Sequence, residues 1–317
     1  MAVHLHPAGA RSVTGFADEL LAGLSQRPRR VAPKWFYDRR GSELFNRICE
    51  LPEYYLTRVE LALLERHAAE LAQGLGAEVE IIEFGAGAAK KVHALARALE
   101  RPAAYRPIDL SGDFLLDAVA AVRAGLPGLT VVPIVADYAR SLRLPPRLGR
   151  GPRLGFYPGS SIGNFDPPAA AALLRRIRTA LEGGSLLIGV DLVKDPAVLH
   201  AAYNDAAGVT AEFNLNLWAR ANREARADFD LSRWRHSAFY NPPERRIEMH
   251  LVSRCAQRVR VAGRSFRFDE GDSVHTESSY KYGIEGFQRL AGSAGWAAAD
   301  VWVDPERQFS LHWLRPL

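Results

Sequence analysis

The sequence predicts an α/β chain in which a doubly wound, mostly parallel sheet carries a second domain outside its strand–helix alternation. Three observations predict it. The middle third alternates strand-like and helix-like segments. A glycine loop, Glu83-Phe84-Gly85-Ala86-Gly87, closes the first strand of that series. The alternation stops after Asp195-Pro196 and resumes only near the end of the chain.

The elements follow in order. Residues 79–84 form an apolar run with the length of a buried strand, and residues 90–99 carry an Ala/Leu face at helical spacing. A second strand is expected over 105–110, a helix over 114–124 and a third strand over 130–135. Residues 154–157 read as a short fourth strand, followed by a Gly/Ser loop. A helix over 168–181 stops at Gly183-Gly184, and a fifth strand covers 185–190. Residues 197–275 are rich in Asn, Arg and aromatics and break the pattern, whereas 301–304 and 309–314 resemble two closing strands. The sheet domain is therefore expected to span 61–196 plus 281–317. The outlying segments, 1–60 plus 197–280, are read as one substrate-binding domain; two separate decorations are the alternative.

Composition narrows the function classes. The chain has 317 residues, 48% hydrophobic and 24% charged, enough for a real core. No apolar run reaches the roughly 18 residues of a membrane span. Met1-Ala2-Val3-His4-Leu5-His6 lacks the look of a signal peptide, so a cytoplasmic protein is expected. Cys49 and Cys255 form neither a metal pattern nor an expected bridge. The net charge of +5 invites a nucleic-acid reading. Its densest arginine groups, within 27–30 and 143–153, are interleaved with Pro, Gly and Leu, so they read as solvated surface.

Chemistry concentrates at successive strand ends, where ligands sit in such sheets. Gly85 and Gly87 allow a sharp turn and close approach to a ligand. A dinucleotide fingerprint would continue to a third glycine, but position 90 is Lys. That argues against a pyrophosphate-bearing cofactor and for S-adenosylmethionine, whose carboxylate Lys91 or the loop amides can meet. Asp109, ending the second strand, can accept both ribose hydroxyls. Asp137 and Tyr138, after the third strand, can meet the adenine amino group and ring. Together these residues predict a class I Rossmann-like methyltransferase sheet using S-adenosylmethionine as methyl donor, without a metal. Asn164, in the loop after the fourth strand, lies beside the expected position of the reactive methyl. Tyr240-Asn241-Pro242-Pro243 is similar to the Asn-Pro-Pro-aromatic loop of other amino-methyltransferases, but it falls after the fifth strand and Glu244 follows the prolines. It reads as a turn.

From Lys34 onward the chain resembles the ergothioneine-pathway L-histidine Nα-methyltransferases. The resemblance rests on Tyr37-Asp38-Arg39-Arg40-Gly41-Ser42-Glu43-Leu44-Phe45, on Leu51-Pro52-Glu53-Tyr54-Tyr55-Leu56-Thr57-Arg58, and on the glycine loop. It continues through Gly159-Ser160-Ser161-Ile162-Gly163-Asn164, the stretch from Tyr203 to Asn214, and His275-Thr276-Glu277-Ser278-Ser279-Tyr280. It implies an inserted substrate-binding domain and conversion of L-histidine to its trimethyl betaine, hercynine, the first step of ergothioneine synthesis. An alternative is N-methylation of another small amino acid or amine. By position, Gly85, Gly87, Lys91, Asp109, Asp137 and Tyr138 would hold the cofactor. Tyr54, Asn164, Tyr203, Glu277, Ser278 and Ser279 would hold histidine, with Tyr37 and Asn164 at the reacting amine. Leu56, Ala86 and Ser278 depart from the family pattern. A monomer acting on a small molecule, with no nucleic-acid or membrane partner, is expected.

Overall fold

The computed structural model describes residues 6–7, 15–87, 89–110 and 112–317, apart from the side chains of residues 6, 7, 113 and 114. The described chain divides into two compact units. One comprises Leu56–Val193 and Lys281–Leu317, joined by the pair His6–Pro7; the other runs to Tyr55 and resumes over Lys194–Tyr280. The sequence placed the first two boundaries at 60/61 and 196/197. The first moves because residues 56–60 belong to one continuous helix, Tyr55–Leu75. The second moves because Leu192 bridges Tyr282 and the Val193 amide donates to the Tyr282 carbonyl at 3.0 Å. The sheet unit is thus closed where the chain leaves and returns.

The first unit is built on a mixed sheet. Its strands run in the order His6–Pro7, Ile134–Val135, Ala104–Asp109, Glu80–Phe84, Arg153–Tyr157, Ser185–Asp191, Phe309–Pro316, Trp296–Val303. The last two are antiparallel and the others parallel. The three central strands beginning at Glu80, Arg153 and Ser185 are buried along their whole lengths, as expected where helices cover both faces. The third predicted strand is shorter than read. Only Ile134–Val135 pairs continuously, with an isolated bridge between Tyr105 and Val131. Pro133 interrupts the segment, having no N–H for the ladder. The helix Pro167–Leu181 starts where Asp166 accepts the Ala169 amide at 2.8 Å, and it ends at left-handed Glu182.

A buried carboxylate holds the middle of this sheet. Glu80 Oε1 accepts Arg106 Nε at 2.6 Å and Glu80 Oε2 accepts Arg153 Nε at 2.9 Å. All three side chains are almost wholly buried. Arg106 Nη2 reaches the Pro146 carbonyl, and Arg153 Nη1 and Nη2 reach those of Ala180 and Pro145, at 2.6 to 3.2 Å. Arg153 was counted in the sequence among solvated arginines; the structure corrects this. Arg29 is corrected likewise. It is 6% exposed, lies 4.1 Å over the Phe268 ring and pairs with Asp272 at 3.2 Å.

The second unit has a four-stranded sheet ordered Arg29–Arg30, Ser273–Tyr280, Arg246–Ser253, Trp234–Asn241. A hairpin, Gln257–Val261 with Arg264–Phe268, and the helices Phe16–Leu24, Arg39–Ile48, Pro196–Tyr203 and Val209–Glu224 complete it. Pro242 to Arg245 make the turn of a hairpin. Its core is aromatic: Trp218 stacks on Phe229 at 4.0 Å and Trp234 meets Phe268 edge-on at 4.9 Å. Cys49 and Cys255 are free thiols. Among the described residues, no helix is long and apolar enough to cross a membrane.

Removing Glu80 would leave the buried Arg106 without its counter-charge and Arg153 with only the exposed Glu182. Glu80→Gln is expected to cost about 3–5 kcal/mol in urea unfolding. Glu182→Gln removes only the exposed partner of Arg153 and should cost about 1 kcal/mol or less. Equal losses from the two variants would show that the buried carboxylate is not the anchor.

Candidate functional site

In the sheet unit, the predicted cofactor residues converge at the carboxyl ends of neighbouring strands. Gly85 is left-handed, at φ +76°, and its amide donates to the Ile108 carbonyl at 2.9 Å, next to Asp109. A Cβ at Gly85 would stand 3.3 Å from the Tyr138 hydroxyl. Both the backbone conformation and the close approach therefore call for glycine. Gly87 has no positive φ, and among the described residues no atom lies within 4 Å of a Cβ built there. Tyr138 packs edge-on against Phe84 at 6.0 Å and Tyr157 at 5.9 Å, and burial raises its pKa. Asp137 accepts the Ala139 amide at 3.1 Å, a turn cap that leaves its other oxygen beside Arg140 at 3.6 Å.

Two acids that the sequence reading did not single out lie in this cluster. Glu83 is fully buried, and the Tyr105 hydroxyl donates to it. Burial pushes its pKa up to about 7, against the pull of the Tyr105 hydrogen bond and the Lys91 charge; Glu60 and Asp109 push it further up. Its place one residue before Phe84-Gly85 was the available signal. Glu60 is buried on the leading helix. Lys91 Nζ donates to it at 2.5 Å, and its two oxygens accept the Gly159 amide at 2.9 and 2.8 Å. A Cβ at Gly189 would fall 2.0 Å from Glu60 Oε1, so that glycine makes the room. Lys91 is thus tied to Glu60 rather than standing clear for a ligand carboxylate.

The same Gly159 begins the loop that carries Asn164. Left-handed Ser160 takes the Asp191 amide on its hydroxyl at 2.9 Å, and the 3-10 turn Ser161–Asn164 follows. Asn164 is half-buried in this unit.

The other predicted substrate residues lie in the second unit. Tyr203 ends the helix Pro196–Tyr203, and its hydroxyl donates to Ser279 Oγ at 2.8 Å in a buried setting. Glu277 is buried on the same strand. Burial raises the Tyr54 pKa well above its usual value, with Tyr203, Cys49, Tyr37 and Glu277 adding to the shift; these groups are electrostatic neighbours. Phe45 joins Tyr54, at 6.3 Å between rings, to Tyr37, at 5.5 Å. Tyr37, Tyr54, Tyr203, Glu277 and Ser279 therefore form one cluster.

Ser278 does not join it. A bulge between His275 and Glu277 resets the strand's alternation. Glu277 and Ser279 pair with Met249 and Ile247 on the buried face, whereas Ser278 pairs with Glu248 on the other. Its hydroxyl lies 3.1 Å from His275 Nε2. Its assignment to substrate is therefore not supported by position. On that face burial lowers the pKa of both His250 and His275, the latter to about 4 with help from the neighbouring His250.

The family-like blocks have structural work too. Asp205 accepts the Val209 and Thr210 amides at 2.8 Å, capping the helix Val209–Glu224. Glu53 accepts the Ala206 amide at 3.2 Å, and Lys194 donates to the Tyr55 hydroxyl at 2.5 Å. Asn214 accepts the hydroxyl of the bulged Thr276 at 2.9 Å and donates to the His250 carbonyl at 3.0 Å.

A model of the family described as histidine-specific, S-adenosylmethionine-dependent methyltransferase matches residues 16–316. The chain is 41% identical over 299 residues to the histidine N-alpha-methyltransferase of Mycolicibacterium smegmatis, with 92% of each covered. It is 32% identical over 313 residues to ergothioneine biosynthesis protein 1 of Neurospora crassa, covering 90% of this chain and 33% of that protein. Its fold is similar to that of a possible exported protein from Bordetella parapertussis, at TM-score 0.52 and 16% identity over 96% of this chain and 90% of that one.

The raised Glu83 pKa sets a sign for pH dependence. The folded protein holds this proton more tightly than the unfolded chain, whose Glu titrates near 4.5. Stability from this group is gained as pH falls from about 7 toward 4.5 and is lost as pH rises, by up to about 3 kcal/mol. In urea unfolding at pH 5 and pH 8, Glu83→Gln should gain on the wild type at pH 8. Parallel curves for the two proteins would contradict the shift.

Proposed function

The chain belongs to the histidine-specific, S-adenosylmethionine-dependent methyltransferase family, and on that premise we propose that it trimethylates the α-amino group of L-histidine to give hercynine in ergothioneine synthesis. It is an N-methyltransferase with S-adenosylmethionine as methyl donor. The observation that carries the choice of substrate is the buried Tyr203–Ser279 hydrogen bond beside the buried Glu277, on one strand face.

The sheet unit's donor set fits the methyl donor. Asp109 ends its strand with a carboxylate suited to two ribose hydroxyls, and Tyr138 offers an apolar ring against the glycine loop. Glu83 is suited to the donor's ammonium, which would draw off its proton. The loop amides take the carboxylate, with Lys91 contributing charge while paired to Glu60. Asp137 serves the adenine amino group through the oxygen that does not cap its turn. The bound donor supplies a methyl group on a sulfonium, which needs no metal to leave.

In the second unit, Glu277 accepts an imidazole N–H. The Tyr203 hydroxyl donates to Ser279 Oγ and so orients that serine, which is suited to the other ring nitrogen. In the sheet unit, Asn164 is a neutral donor suited to a carboxylate. Tyr54, kept protonated by burial, is a hydrogen-bond donor rather than an anion. Tyr37 accepts or relays the amine proton, and its ring suits the growing cation. Most of the acceleration comes from alignment of the amine with the methyl group. The third transfer leaves nitrogen with no lone pair, which ends the sequence. A cytoplasmic monomer without a nucleic-acid partner belongs to the proposal. Arg40, Arg47, Arg223 and Arg260 pair with Glu212, Asp38 and Asp228, which fits the absence of a nucleic-acid partner at these arginines.

Loss of a hydrogen bond to a charged group costs about 1.5–3 kcal/mol, so Glu277→Ala should weaken histidine binding at least about tenfold in calorimetry. Its affinity for S-adenosylmethionine should hold. Asp109→Ala should do the reverse, and equal losses for both ligands would refute these roles. With labelled S-adenosylmethionine and each of the twenty amino acids, histidine should be the best acceptor and its product trimethylated by mass spectrometry. A better acceptor would overturn the substrate assignment.

A further inference from the structure

The half-exposed face of the second unit's sheet, turned away from Glu277 and Ser279, carries a donor set that the methyl transfer does not use. His250 lies directly across from His275 in the strand register, and Glu248 lies two residues along the same strand as His250. Alternation puts all three on one face. One ligand atom from each lies within 4.8 Å of the other two. Glu248 Oε2 is 3.1 Å from His250 Nε2, and the two imidazole rings meet edge-on at 5.1 Å.

The surroundings hold these groups in place as outer ligands do at metal centres. Glu248 Oε1 accepts Asn241 Nδ2 at 2.8 Å and two Arg246 nitrogens at 2.9 and 2.7 Å, which leaves Oε2 turned toward the histidines. The Phe239 ring stacks on His250 at 5.4 Å. Ser278 Oγ lies 3.1 Å from His275 Nε2. Both histidines are only partly buried, so a fourth ligand position can be filled by water.

We propose that Glu248, His250 and His275 bind one divalent ion of the zinc class. Two imidazole nitrogens and one carboxylate oxygen are the donor set of an open zinc site. The ion would replace the contact between Glu248 and His250. Arg246 opposes a second cation beside the same carboxylate, so the site is an exchangeable one. Without an ion the same residues form an ion-paired network of Arg246, Glu248 and His250. Such an ion would bear on the methyl transfer, since His275 flanks the bulge that sets Glu277 on the opposite face. An ion gripping His275 fixes that bulge.

The test uses the full chain without a histidine tag, stripped with chelator and titrated with zinc chloride in calorimetry. One equivalent should bind, and His250→Gln and His275→Gln should each weaken binding at least tenfold while circular dichroism stays unchanged. Cobalt(II) should give the strong visible absorption of a four-coordinate site in the wild type and lose it in both variants. No saturable zinc uptake by the wild type would overturn the proposal, as would uptake unchanged in both glutamine variants. If either variant misfolds, Glu248→Gln supplies the same comparison. Histidine and S-adenosylmethionine are absent from the titration, so its failure leaves the methyltransferase reading untouched.

Discussion

The sheet unit depends on one carboxylate with two guanidiniums. Glu80 sits between Arg106 and Arg153 on three adjacent strands, and the two guanidiniums also reach carbonyls of Pro145, Pro146 and Ala180. A buried charge network is a poor source of net stability but a strict geometric requirement, because any other pairing strands a charge. It sits toward the amino ends of the strands. Three residues further along, Glu83 and Asp109 emerge at the carboxyl ends, roughly 10 Å away at the rise of a strand. The clamp therefore fixes the relative heights of the groups proposed to hold the cofactor. The arrangement separates two sets of charge in this sheet, one at the amino ends of the strands and the other at their carboxyl ends.

In the second unit the corresponding device is a single extra residue. The bulge at Thr276 lets one strand present Glu277 and Ser279 to the interior and His275 and Ser278 to the other face. Asn214, from the helix Val209–Glu224, grips the bulged threonine and the neighbouring strand together. That helix is in turn capped by Asp205, two residues beyond Tyr203. The blocks that mark the family are therefore partly a scaffold. They fix a helix start, a bulge and the hydroxyl of Tyr203, and the side chains suited to histidine occupy the remaining positions.

The sheet was legible because its strands are continuous apolar runs bounded by glycine and proline, and because the ligand chemistry recurs at strand ends. Gly85, Asp109 and Tyr138 could be picked out for that reason. The third strand was overread because hydrophobicity says nothing of the amide that Pro133 lacks. Arg153 and Arg29 were misread because an arginine among prolines and glycines looks solvated until its partners, Glu80 and Asp272, are brought to it by distant chain. Glu60 was invisible for the same reason, its partners being Lys91 and Gly159. The second unit gave few local signals. Its antiparallel strands carry charged residues on a half-exposed face, and the bulge that separates Ser278 from Glu277 leaves no mark in the residue pattern.

The order of the strands has a consequence for how the chain is made. Phe309–Pro316 lies between Ser185–Asp191 and Trp296–Val303, so it is the inner of the two closing strands yet the last to be synthesised. Until it arrives, Ser185–Asp191, a strand buried at every position in the finished sheet, has one unpaired edge. Lys194–Tyr280, the larger part of the second unit, emerges from the ribosome during that interval. An open apolar edge is a template for pairing with another chain. The nascent protein is therefore most exposed to aggregation not while the inserted domain folds but because that domain delays the strand that seals the first, which makes the insertion a burden on biogenesis as well as a gain in chemistry.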